Sequence, residues 1–238
     1  MELDGFGNKI PESTDTSGDE QDLTLSIKDV RTRLSETSDE YILELNTTRG
    51  VIKSHLRACE GKTAFVIFIG GASGAVTGPA NKVYEKIGIS LLEHGISTLR
   101  IEYRKPGDFA ESVVDVLAGC SFMRGIGARE ALLVGHSFGG AVAIKAGELS
   151  DLVKGVTAIS SQLFGTQDVH QLNKPLLLIH GDQDEILNHE ASEDIYRRAS
   201  EPKSIKIIKG SGHGLQEDPE AVYSLLEKFI ISVVGYNN

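Results

Sequence analysis

The chain has 238 residues, 40 % hydrophobic and 24 % charged, enough apolar material for one ordinary domain with a buried core. Its formal net charge of −10 argues against a nucleic-acid backbone as partner. Two cysteines, Cys59 and Cys120, are too few for a disulfide framework at this length and read as reduced thiols of a cytoplasmic protein.

Residues 1–21 are rich in Asp, Glu, Ser, Thr and Gly, a composition expected to form a disordered acidic tail outside a single domain over 22–238. This start has neither the basic patch nor the apolar run of a signal or transit peptide, and the longest apolar runs are strand-sized. The expectation is a soluble chain with no membrane partner.

Three segments follow, LTLSIKDVRTRL, EYILELN and VIKSHL, in which apolar and polar residues alternate. That period of two predicts an antiparallel edge or meander, with Arg49-Gly50 as the turn between the last two strands. After Gly61 the texture changes to AFVIFI, ISTLRI, ALLVG, VTAIS, PLLLI and SIKIIK, separated by segments with helical spacing or capping residues. Continuous apolar runs imply strands covered on both faces, and their alternation with helices predicts an α/β fold with a doubly wound, mainly parallel sheet.

In such a sheet the chemistry lies beyond the carboxyl ends of the strands. ALLVG leads into Gly135-His136-Ser137-Phe138-Gly139-Gly140 and then into a helix-forming AVAIKAGEL. A G-x-S-x-G match at a strand-to-helix junction predicts a tight turn that strains the serine and exposes its hydroxyl near a helix N-terminus. PLLLI runs into His180-Gly181-Asp182-Gln183-Asp184, and SIKIIK runs into Gly210-Ser211-Gly212-His213-Gly214. A serine hydroxyl needs an imidazole to take its proton, and the imidazole needs a carboxylate to fix its tautomer, so the order Ser137, Asp182 or Asp184, His213 has chemical meaning. One oxyanion donor is expected at the backbone N–H after the nucleophile, Phe138. His136 reads as a packed neutral histidine and His180 as a structural one, and no histidine has metal-ligand spacing, so neither metal nor cofactor is expected.

GHSFGG, HGDQDEIL and GSGHG resemble the nucleophile elbow, acid loop and histidine loop of the α/β-hydrolase superfamily, in its small esterase and dienelactone-hydrolase-like branch, over about Phe65 to Phe229. The resemblance implies Asp184, last in H-G-x-x-D, as the acid, and Ala72, in the loop after AFVIFI, as the second oxyanion donor. Dienelactone hydrolases proper carry cysteine where this chain has Ser137.

Two weaker candidates complete the reading. Arg104, beside Lys105, either reaches the pocket mouth and favours an acidic substrate or ties down its own loop. Gln162, after Ser160 and Ser161, either lines the pocket floor or belongs to ordinary capping. Only about fourteen residues separate Ser160 from Pro175, where many relatives insert a helical cap, so the pocket should be capless and open. The expected partner is a small acyl substrate, an ester, thioester or amide. The alternative is a non-catalytic relative that binds a ligand or protein.

Overall fold

A computed structural model describes residues 24–235; the expected acidic tail lies outside the described residues. The three alternating segments form an antiparallel ribbon, β1 (Ile27–Leu34), β2 (Tyr41–Thr47) and β3 (Gly50–Arg57). The turn falls one residue earlier than expected, on Thr48-Arg49, because Gly50 already pairs with Thr47.

Each later apolar run becomes a strand: β4 (Ala64–Ile69), β5 (Ile96–Glu102), β6 (Glu130–His136), β7 (Val153–Ile159), β8 (Leu176–Gly181) and β9 (Lys203–Ile208). These six pair in parallel, and β3 joins them antiparallel to β5. Among the described residues the result is one nine-stranded sheet, ordered β1-β2-β3-β5-β4-β6-β7-β8-β9.

Alternate residues of β4 show why the runs are continuously apolar. Val66 and Phe68 pack under α1 (Pro79–Glu93) and α5 (Pro219–Val234), whereas Phe65, Ile67 and Ile69 pack under α2 (Phe109–Gly125) and α3 (Phe138–Leu149). Ile195 of α4 (Glu190–Arg198) joins the second layer. Each such fully buried side chain contributes about 1.5–3 kcal/mol relative to exposure.

Helix α2 begins at Asp108, whose carboxylate accepts the Glu111 N–H, and α5 at Asp218, which accepts that of Ala221. Between β7 and β8 the only regular element is a single 3-10 turn at Val169–Gln171, so no cap covers the carboxyl ends of the strands. Among the described residues no helix is long and apolar enough to cross a membrane.

Candidate active site

Strand β6 ends at His136 and α3 starts at Phe138, leaving Ser137 as the whole connection. Its φ of 58° and ψ of −121° lie where a side chain is costly, on the order of 1–3 kcal/mol. Strand β7 and the first turn of α3 hold it there. The Ser137 N–H donates to Ile159 O at 2.8 Å, and its carbonyl accepts the Gly140 N–H at 3.0 Å.

The flanking glycines are required by close approach rather than by their own dihedral angles. A Cβ at Gly135 would lie 1.9 Å from Gly139 O, and one at Gly139 would lie 2.2 Å from Gly70 O. The elbow is therefore pressed directly against the loop that follows β4. Tyr103 fixes that loop from the other side, donating its hydroxyl proton to Gly70 O at 2.9 Å. A Cβ on Gly71 would stand 3.6 Å from Ser137 Cβ, and Ala72 lines the same cavity as Ser137. Phe138 opens α3, so its N–H is one of the helix-terminal donors without an intrahelical acceptor.

His213, on the loop after β9, lines this cavity of about 660 Å³ together with Ser137 and Ala72. Its Nδ1 lies 2.7 Å from Asp184 Oδ2. Asp184 Oδ1 accepts the N–H groups of Ile186 and Leu187 at 2.9 and 2.8 Å. Burial alone would push this carboxyl up, but the Leu187 N–H, His213 and the Ile186 N–H outweigh it and hold it below the usual range. Asp182 has a different task. Its Oδ1 accepts the Gly210 N–H at 2.7 Å, pinning the histidine loop to the acid loop.

His136 reaches under the histidine loop, with Nε2 3.1 Å from His213 O and the two rings 4.8 Å apart. A carbonyl only accepts, so Nε2 carries the proton. Burial pushes the His136 pKa down to about 4, so the ring is neutral near pH 7. His180 is more than the structural strand end that its position suggested, for its Nε2 lies 3.0 Å from Asp184 Oδ2.

Across the cavity, Ala80, Asn81 and Lys82 have φ of 47°, 55° and 66°, a left-handed turn ahead of the regular part of α1. Such a turn costs roughly 1–2 kcal/mol per residue. It is held by the Ala80 N–H, which donates to Gly214 O at 2.7 Å. Asn81 and Lys82 line the cavity, and among the described residues no Asp or Glu does. The residue pattern offered only Asn81, a residue that favours positive φ, as a pointer to this turn.

Two candidate pocket residues lie elsewhere. Arg104 is buried between the Glu111 carboxylate at 2.8 Å and that of Asp115, and it donates to Arg49 O at 3.0 Å. Two acids on α2 capture it, so it ties down its own loop instead of reaching the pocket mouth; Lys105 also pairs with Glu111, at 3.1 Å. Gln162 is likewise absent from the cavity wall, because its Nε2 donates to Phe164 O at 3.0 Å. Ser160 and Ser161 are fully buried beneath the elbow. Among the described residues no three His, Cys, Asp or Glu side chains gather where they could hold a metal ion.

Solved structures of the same architecture were found. A dienelactone hydrolase from Anabaena variabilis superposes with a TM-score of 0.72 at 19 % identity, covering 82 % of this chain and 98 % of its own. The chain has the α/β-hydrolase fold. A serine hydrolase without lid from Xanthomonas campestris gives a TM-score of 0.67 at 20 % identity, over 87 % of this chain and 100 % of the other. Est1E from Butyrivibrio proteoclasticus gives 0.67 at 19 %, over 76 % and 94 %. The family model for serine aminopeptidases of family S33 matches residues 155–220, which hold Asp184 and His213 and begin after Ser137. No curated protein matches this chain by sequence.

Proposed function

We propose that this α/β-hydrolase cleaves a small ester, thioester or amide through an acyl-serine intermediate. The observation that carries the reading is the 2.7 Å contact between His213 Nδ1 and Asp184, with His213 and Ser137 on the wall of one cavity. Asp184 accepts the Nδ1–H and so leaves Nε2 of His213 free to take the Ser137 proton as Oγ attacks the acyl carbon. The oxyanion that forms is met by the N–H groups of Phe138 and Ala72. His213 then returns the proton to the leaving group, and water repeats the sequence to release the acid. A cavity of about 660 Å³ without a cap suits a short acyl group.

A fluorophosphonate probe tests this, since it reacts with an activated serine. One label per chain is expected, lost in Ser137→Ala with the melting temperature preserved. Undiminished labelling of Ser137→Ala would sink the proposal.

A further inference from the structure

Asp184 has two imidazoles on one oxygen. Oδ2 lies 2.7 Å from His213 Nδ1 and 3.0 Å from His180 Nε2. The His180 side chain is completely buried, as is that of Asp184. His180 Nε2 also lies 2.8 Å from Leu187 O, and its Nδ1 lies 2.7 Å from Ser192 Oγ on α4. Ser192 is itself fully buried.

The hydrogens follow from donor and acceptor chemistry. A carboxylate oxygen and a carbonyl oxygen can only accept, so Nε2 of His180 must carry a proton, shared between them. Burial pushes the His180 pKa down, which leaves the ring neutral and its Nδ1 an acceptor. Ser192 is then the donor to Nδ1, and its hydroxyl locks the tautomer. The titratable groups that the His180 ring faces are Asp184 and His213, with His136 beyond them.

We infer that His180 and Ser192 are positioning residues that extend the Ser137–His213–Asp184 arrangement into a buried relay, Ser192–His180–Asp184–His213. With His180 in place all the lone-pair directions of Asp184 are used, two by backbone N–H groups and two by imidazoles. That fixes the plane of the carboxylate and hence the direction in which His213 points. It also shares the charge on Oδ2 between two donors, which moderates the pull of Asp184 on a protonated His213. Without the His180 donor, Asp184 would bind the imidazolium form of His213 more strongly. The base would then be released only at higher pH. The kinetic part of this inference rests on the proposed hydrolase reading; the hydrogen positions do not.

Two measurements test it. Imidazole 15N spectra of the whole chain should show His180 as the Nε2–H tautomer in the wild type and a mixed or inverted tautomer in Ser192→Ala. A wild-type Nδ1–H tautomer, or no change in Ser192→Ala, would overturn the relay. In hydrolysis, His180→Leu should lower kcat/KM by about tenfold and move the acid limb of its pH profile up by about one unit, the scale of one charge-assisted hydrogen bond. His180→Gln, which offers an N–H near the position of Nε2, should recover most of both. Equal losses in the Leu and Gln variants, or an unmoved acid limb in the Leu variant, would reduce His180 to a packing residue. If His180→Leu does not fold, the same limb is read in Ser192→Ala, where a smaller upward shift is expected and no shift refutes the relay. A wild type with the expected tautomer and no hydrolysis would leave the relay standing and remove the hydrolase reading.

Discussion

The contact between the elbow and the loop after β4 makes Gly139→Ala a sharp perturbation. The new methyl would lie 2.2 Å from Gly70 O, 2.7 Å from Ile69 O and 3.0 Å from Gly70 C. An ordinary carbon–oxygen contact is about 3.3 Å or longer, so about 1 Å of separation must be created. The obstacle is backbone at the end of a central strand, which has no rotamer to change. Overpacking costs typically about 1–3 kcal/mol, and this case belongs at the upper end. For a domain of this size each kcal/mol is worth roughly 2–4 °C, so melting should fall by roughly 6–12 °C. The loop that carries Ala72 moves with Gly70, and a displacement of about 1 Å at this proposed oxyanion donor should cost about 100-fold in turnover. Gly125→Ala is the control, at the end of α2 with nothing within 4 Å of its added methyl. Helix propensity favours that change by up to about 1 kcal/mol, so its melting temperature should hold or rise. Thermal scanning of both variants with hydrolysis of p-nitrophenyl acetate decides the matter. If Gly139→Ala melted and turned over like the control, the close approach of elbow and loop would be refuted.

Asp184→Asn should lower turnover by about four orders of magnitude by leaving His213 in the wrong tautomer, whereas Asp182→Asn keeps an oxygen for the Gly210 N–H and should cost little; reversed losses would move the acid to Asp182. Across acetyl, butyryl, octanoyl and lauryl esters, kcat/KM should level off by about four carbons, since no cap covers a longer chain; a steady climb to octanoyl would refute the open pocket. The His136 pKa is lowered from 6.5 to about 4, so in that window the unfolded chain binds a proton that the folded one does not. Stability is therefore full above about pH 6.5 and falls toward pH 4, by up to about 3 kcal/mol from this group. His180 acts in the same direction, so the comparison is between wild type and His136→Gln, whose decline by denaturant titration should be shallower; equal slopes would show that His136 is not held neutral.

Much of the architecture was legible because burial writes itself into residue periodicity. The five runs that became β4 to β8 are largely apolar since both faces of those strands are covered, and β2 and β3 before them alternate since one face meets solvent. The elbow was legible for a steric reason, as Gly135 and Gly139 are the residues whose backbones touch. Asp184 and Asp182 were distinguished by resemblance and by the position of Asp182 nearer the strand end, because both sit on one loop and only the fold shows which faces His213. Side-chain destinations were less readable. Arg104 follows a strand end and so belonged near the pocket by topology, but two acids a helical turn apart on α2 draw it inward. The left-handed turn at Ala80–Lys82 was not legible, since only Asn81 among those residues favours positive φ and one such residue does not mark a three-residue turn. His180 looked like a strand terminus because its partner Ser192 lies on a helix whose docking no local pattern announces.

The order in which the chain is made gives the covering of the sheet a temporal meaning. Val66, Phe68, Leu132 and Val134 share their core layer with Val222, Leu226, Ile230 and Val234 of α5. A ribosome therefore delivers the sheet face long before the helix that shields much of it. The cavity wall waits as well, because Ala80 is tied to Gly214. A nascent chain that has passed Ser137 but not Pro219 displays part of a bare aliphatic face, the kind of surface that chaperones hold and neighbouring nascent chains stick to. Translation pauses in that interval would prolong the exposure, and a premature stop just before α5 would release an aggregation-prone sheet that carries Ser137, Asp184 and His213 but has no means of sealing the layer beneath them.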